Sequence, residues 1–159
     1  MNHDSDAAQP RLHSGPLRLA DFLTDAAPPD CGALAIFAGT VRNSHEGRAV
    51  KGIHYHAYPP LAERRLLEIE AEAEHRCAGR VRVAHAMGEL GVGDISVVVV
   101  VHAGHRAGAF ETCRWTIDTI KLAVPIWKEE RYVEGDSRFL DGSPLQDVPR
   151  NNTPENNAR

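Results

Sequence analysis

The stretch that most constrains this chain is "DISVVVVVHAGHRAGAF", Asp94 to Phe110. Val97 to Val101 is an unbroken valine run with no polar alternation. Such a run reads as a strand buried on both faces, and it demands a sheet with cover on each side. The β-branched side chains, stiff at χ1, suit a pleated surface. The run then gives way to "HAGHR", where two histidines and an arginine lead into a helical pattern. A strand that hands cationic side chains to a helix N-terminus suits an anion, because the free N–H groups and the helix dipole favour negative charge there.

The chain's 159 residues fit one domain, long enough to bury roughly two-thirds of the unfolded surface. Its formal net charge of −4 argues against a broad nucleic-acid footprint, so any anion site must be a local cluster of Lys and Arg. Cys31, Cys77 and Cys113 are far apart and form no CxxC pair. That spacing disfavours a structural zinc site and a disulfide framework, and favours a reducing compartment. Apolar runs are too short to span a bilayer, and "MNHDSDAAQPR" lacks the apolar core of a signal peptide, so a cytoplasmic protein is expected.

Polar composition predicts disordered tails at residues 1–14 and 146–159, around a single domain at 15–145. "PLRLADFLTDA" reads as a short strand and a short helix, "GALAIFAG" as a buried strand, and "KGIHYHAY" as a half-exposed strand. In the last, Ile53, Tyr55 and Ala57 share one face, and His54, His56 and Tyr58 the other. Pro59 and Pro60 start a helix whose apolar stripe is Ala62, Leu66, Ile69, Ala73 and Cys77. "RVRVAHAMGEL" and "DISVVVVVHA" are strands around the turn "GVGD". A last helix starts near Gly108, must end before Pro125, and is expected to bury Phe110, Cys113, Ile117, Ile120 and Val124. "IWKEERYVEG" then looks extended. Interspersed helices and hairpin-like strand pairs predict an α+β sandwich rather than a doubly wound sheet.

Lys121 falls about 20° from Phe110 on the helical wheel, on the expected core stripe. Either its stem packs on apolar surface while the ammonium reaches water, or the ammonium points into a cleft as an anion ligand or acid–base group. Lys128 lies just past Pro125, and its plainer reading is a solvated face. His105 and Arg106 occupy the strand-to-helix junction. Arg42 ends the other very apolar strand. Two buried strands ending in arginine fit a phosphate or carboxylate site. His54 with His56, and His102 with His105, are possible metal ligands but lack supporting carboxylate or cysteine spacing. No cysteine accompanies the cationic cluster, so a sulfur or acyl group handled here would come from a partner.

Taken together and in order, "FAGTVRN", "GELGVGD", "HAGHRAGAFE" and "IKLAVPIWKEE" resemble the large catalytic subunit of molybdopterin synthase, over about residues 16–142. The resemblance implies an α/β-hammerhead-like two-layer sandwich with an added antiparallel β subdomain. It implies a sulfurtransferase that converts cyclic pyranopterin monophosphate to the dithiolene of molybdopterin. The sulfur would come from the thiocarboxylated C-terminal Gly-Gly of a small ubiquitin-like carrier subunit. It also implies a homodimer at the core of a heterotetramer, and no cofactor or metal of the chain's own. Residue by residue, the family's substrate-binding segment falls on Thr40, Val41 and Arg42, and its His-Arg pair on His105 and Arg106. Its catalytic lysines fall on Lys121 and Lys128, with Glu129 and Glu130 beside them. Some members add an arginine across the dimer, for which Arg138 is the only offer in "SRFLDGSP". Two rivals use the same residues: a non-catalytic binder of a phosphorylated ligand or ubiquitin-like partner, and a metal-dependent hydrolase built on the histidines. A lysine on the core stripe favours the enzyme over the binder.

Overall fold

The computed structural model describes residues 9–23, 26–135 and 137–140. Its elements are β1 (Leu12–Ser14), a 3-10 turn (Leu19–Phe22), β2 (Ala33–Thr40), β3 (Ser44–His45), β4 (Arg48–Ala57), α1 (Pro59–Cys77), β5 (Arg80–Gly91), β6 (Ile95–Ala103), α2 (Arg106–Ala123), β7 (Ile126–Tyr132) and β8 (Arg138–Phe139). The strands form one sheet in the order β2-β6-β5-β4-β7-β8, with β1 beside β5 and β3 beside β4. Every pairing is antiparallel except β1 with β5.

Strand β5 joins two regions. Its first half, Arg80 to His85, pairs with β6, and its last residues, Gly88 to Gly91, pair with β4. The switch falls at Gly88, whose φ of 89° a side chain would strain. On one side of the switch, α1 and α2 cover β2, β6 and β5 as a two-layer sandwich. On the other, β4, β7 and β8 make the antiparallel subdomain. This is the α+β architecture that the valine strand and the hairpin patterns predict.

The valine strand is the centre of the core. Ser96 to Val101 are all buried, and Val99 and Val101 sit in register with Phe37 and Ala35 on one side and Val83 and Val81 on the other. The 3-10 turn also lies against β6, and Leu17 bridges to Ile95. Helix α1 follows its expected stripe, with Ala62, Leu66, Ile69 and Ala73 buried. It ends through Ala78 in the left-handed region, followed by Gly79, where a Cβ would come within 2.0 Å of the His102 carbonyl oxygen. Only glycine fits that close approach.

Two expectations change. Residues 9–14, assigned by composition to a disordered tail, are held against the domain. The Glu63 carboxylate accepts the backbone N–H groups of Arg11 and Leu12, and the Arg11 guanidinium, 3% exposed, donates to Glu70 on the same helix. The rest of the expected N-terminal tail, and the whole of 146–159, lie outside the described residues. The second change concerns α2. Its buried face is Ala109, Thr112, Cys113, Thr116, Ile117 and Ile120, with Val124 beyond its end. Phe110, expected in the core, is 68% exposed, and Lys121 is exposed beside it. Small and hydroxylic residues at 109, 112 and 116 let the helix sit close to the sheet. They centre the buried arc so that positions 110 and 121 fall about 100° and 120° around from Ala109.

Candidate active site

Thr40 closes β2 after a register shift between Gly39 and Thr40, and the chain then turns away from β6. Val41 is buried at 3% and locked by backbone bonds: its N–H donates to the Asp94 carbonyl, and its carbonyl accepts from Gly93 N–H. The "GVGD" turn thus serves as the anchor that presents Arg42. The Arg42 side chain is exposed and has no hydrogen-bond or ion-pair partner among the described residues. His105 forms the N-cap of α2 in an extended conformation, with its carbonyl accepting from Ala109 N–H, and Arg106 is the first helical residue. Both side chains are exposed.

The two arginine strand ends do not meet within one chain. Strands β2 and β6 are antiparallel, with Thr40 against Ile95 and Ala33 against Ala103. Thr40–Arg42 and His105–Arg106 therefore lie at opposite ends of the pair, about 24 Å apart by strand rise. The sequence pattern showed that each strand ends in arginine and gave no strand direction, so it could not separate one site from two half-sites.

Lys121 lies in the last turn of α2, at the helix end remote from Arg106. Helix α2 runs back along β6 and packs on β2 and β6, which carries Lys121 toward the Thr40–Arg42 end. Because Lys121 is exposed on the flank of the helix, the core-stripe argument that set an enzyme apart from a surface binder does not hold. Lys128, on β7 opposite Tyr55 of β4, points to the inner face of the subdomain with its side chain 19% exposed. Ser96 Oγ, at the start of β6, donates to the Gly39 carbonyl at the end of β2. Burial pushes the Tyr55 phenol above its ordinary range.

Glu130 lies two residues beyond Lys128 on the same face and is 2% exposed. Its Oε1 is 3.2 Å from Lys128 Nζ and 3.6 Å from His45 Nδ1, and its Oε2 accepts from the Tyr132 hydroxyl at 2.8 Å. The bond to the Glu130 carboxylate also raises the Tyr132 phenol. The "KEER" run is therefore split by the strand: Lys128 and Glu130 face inward, Glu129 and Arg131 outward. Glu129 bonds His56 Nε2 at 3.0 Å, and His56 stacks on His54 with ring centroids 4.1 Å apart. His54 Nδ1 is 2.7 Å from Glu89, which Arg131 also contacts, and the His54 bond with Arg131 nearby draws the Glu89 carboxyl below its ordinary value. Among the described residues no group of three or more His, Cys, Asp or Glu could hold a metal ion.

Strand register and helix direction put Thr40, Val41, Arg42 and the Lys121 end of α2 at the same end of the β2–β6 pair, while Lys128 and Glu130 meet on the inner face of the subdomain. His105 and Arg106 lie at the other end of the pair, and Glu129 turns to the outer face. Arg138 is exposed on β8, paired opposite Glu130 in the strand register. His45 was not legible as a site neighbour, because the polar loop "SHEG" carried no periodicity to place it. Two of the thiols are raised and so poorly suited to act as nucleophiles: burial raises Cys113 and is also the leading cause of the rise at Cys31, followed by the Asp30 charge. No described helix is long and apolar enough to cross a membrane.

Comparison with known proteins gives this geometry a family. The family model described as MoaE protein matches residues 12–123. A molybdopterin synthase catalytic subunit of Oryza sativa subsp. indica is 45% identical over 135 residues, covering 80% of this chain and 69% of the relative. A crystal structure of molybdopterin synthase from Staphylococcus aureus superposes with a TM-score of 0.76 at 30% identity, covering 82% of this chain and 95% of that one. The fold is shared too with a chain from a complex of subunits 1 and 2 of molybdopterin-converting factor of Helicobacter pylori, at TM-score 0.68 and 22% identity, covering 83% of this chain and 90% of that one. The match spans both the Arg42 end and the α2 helix that separates Arg106 from Lys121, and the chain belongs to the MoaE family of molybdopterin synthase catalytic subunits.

Proposed function

We propose that this chain transfers two sulfurs to cyclic pyranopterin monophosphate, forming the dithiolene of molybdopterin, with sulfur supplied as the C-terminal thiocarboxylate of a small carrier subunit. The observation that carries the reading is a cationic end, Arg42 with Lys121 and Lys128, that has no sulfur nucleophile of its own. Arg42 suits a bidentate grip on the substrate phosphate. Lys121 and Lys128 suit the thiocarboxylate and the charge that develops as its sulfur leaves, so the chain's part is positioning and electrostatic stabilisation. The sulfur belongs to the partner, in keeping with the complex that the H. pylori relative forms. Reducing surroundings in the cytoplasm suit such a carrier.

His105 and Arg106 join this site only from a second copy. Strand β2 is the edge of the sheet, and its open face carries Leu34, 49% exposed, and Ile36, 40% exposed, an apolar strip that a partner would cover. A two-fold axis beside the middle of β2 sets one copy's strand antiparallel to the other's. Arg42 of one copy then approaches the Ala33 end of its mate, where His105 and Arg106 stand. A homodimer of this kind carries two equal sites, each open at an outer end to one carrier, which is a heterotetramer.

The test is reconstitution. The chain is mixed with thiocarboxylated carrier and cyclic pyranopterin monophosphate, and dithiolene product is measured. Product from the complete mixture, and none from the chain with free sulfide, supports the reading. Efficient product with sulfide alone, through Cys31, Cys77 or Cys113, sinks it.

A further inference from the structure

We propose that His45 is a positioning residue for Lys128: it ties the hairpin that carries Arg42 to the same Glu130 oxygen that holds the Lys128 ammonium. The inference rests on the reading of Lys128 and Arg42 as parts of one site.

Three observations carry it. The first is the shared atom. Glu130 Oε1 is 3.2 Å from Lys128 Nζ and 3.6 Å from His45 Nδ1, while Oε2 is taken by the Tyr132 hydroxyl. A carboxylate 2% exposed cannot reach a substrate, so Glu130 acts through what it holds. A buried carboxylate needs its donors, and their geometry is correspondingly fixed.

The second is the hairpin. Ser44 pairs with Ala49 and His45 with Arg48, around a two-residue turn in which Glu46 and Gly47 have φ of 47° and 76°. Two successive positive φ values mark a tight turn that matches the strand twist. His45 is thus held on a stiff support as the second residue of β3, with Arg42 three residues before it. The exposed Glu46 carboxylate lies 3.7 Å from its Nε2. The imidazole therefore stands between an outer carboxylate on its own hairpin and an inner one on β7, within ion-pair distance of each.

The third is a second tie in parallel. The Arg48 guanidinium lies 3.5 Å from the centroid of the Tyr132 ring and donates to the Glu134 carbonyl. Both residues of the hairpin pair nearest the turn thus touch β7, at Glu130 and at Tyr132. Arg48 holds the hairpin in place, whereas His45 alone shares an oxygen with Lys128. Moving the Arg42 segment on substrate binding would move His45, and with it the charge that fixes Lys128.

The experiment compares wild type with His45→Leu and His45→Gln by two readouts. One is the NMR signal of 13Cε-labelled lysines, with the Lys128 resonance assigned through Lys128→Arg. The other is steady-state product formation with thiocarboxylated carrier and cyclic pyranopterin monophosphate. In His45→Leu the Lys128 resonance should shift while that of Lys51, exposed on β4, stays put. The same variant should lose about tenfold in kcat, the loss expected for one charge-assisted contact, with a smaller change in KM. His45→Gln, whose amide keeps a polar N–H group beside Glu130, should recover most of both effects. An unmoved Lys128 resonance, or wild-type kcat in His45→Leu, overturns the role of His45. Absence of dithiolene product from wild type would instead sink the sulfur-transfer reading, while the resonance test of His45 stands by itself.

Discussion

Arg106 opens α2 and Lys121 lies in its last turn, so a single helix holds these two cations about 22 Å apart along its axis. No motion short of unfolding α2 brings both to one ligand, and a site that uses both draws them from two copies. Arg106→Ala and Lys121→Ala should each abolish product formation as pure homodimers. Both residues are exposed, so folding stability should change by no more than about 0.5 kcal/mol. Co-expressed, the two variants form mixed dimers in which one site of the two regains both cations. With random assortment the mixture should return about a quarter of wild-type activity, as two-fold symmetry requires. No recovery above the pure variants would put Arg106 and Lys121 in separate functions.

Arg42 has no described partner to release, so its guanidinium is free to bind an anion at no internal cost. Arg42→Ala should weaken binding of cyclic pyranopterin monophosphate by about 1.5–3 kcal/mol, the range for a hydrogen bond to a charged group. Arg42→Lys keeps the charge but loses the planar fork, and should recover only part of that affinity. Calorimetric titration of the substrate decides it, since unchanged affinity for Arg42→Ala removes this residue from the phosphate site.

Much of this could be read from the chain before any coordinates. The Val97–Val101 run, the α1 stripe and the prolines at its start fix buried strand, helix face and helix entry through local rules alone. What failed was non-local. The disorder expected for residues 9–14 rested on composition, which does not register that Glu63 and Glu70, more than fifty residues away, supply acceptors for Arg11. The α2 stripe was drawn through the large apolar residues: Cys113, Ile117, Ile120 and Val124 are buried, Phe110 is not, and Thr112 and Thr116 complete the buried face. Thr116 Oγ1 donates to the Thr112 carbonyl, so the hydroxyl is satisfied inside the helix. Without strand direction, the pattern could not show that Arg42 and Arg106 stand at opposite ends of the β2–β6 pair within one chain. Glu130, by contrast, came from family resemblance; it is buried, with Lys128, His45 and Tyr132 around its carboxylate.

The Arg11 guanidinium donates to both Glu70 oxygens, and Glu70 also accepts Val83 N–H. Burial pushes the Glu70 carboxyl upward, against the pull of Arg11 and the Val83 bond. Arg11→Ala leaves that carboxylate buried without its cation and should cost about 3–5 kcal/mol. Adding Glu70→Gln removes the stranded charge and keeps an acceptor for Val83, so the double variant should be more stable than Arg11→Ala alone. Urea unfolding of the four proteins checks this, and a double variant less stable than the single would show that the penalty is not the unpaired charge.

His85 should contribute to the acid sensitivity of the fold. It sits on β5, 3% exposed, with its ring edge against Tyr55 at 5.2 Å and Nδ1 2.7 Å from the Ala86 carbonyl oxygen. A carbonyl only accepts, so Nδ1 carries the proton and the ring is neutral with its Nε2 unprotonated. Burial lowers the pKa from 6.5 to about 4, partly offset by the Ala86 bond. The folded state therefore binds this proton less readily than the unfolded chain. Its stability is whole above pH 6.5, falls as the pH drops from 6.5 toward 4, and levels off below, with a loss of about 3 kcal/mol from this group. His85→Gln cannot titrate and still offers an amide donor to Ala86. Urea unfolding at pH 7.5, 5.5 and 4.5 should show wild type losing more stability than the variant at each downward step. Parallel losses in the two proteins would assign the acid sensitivity to other groups.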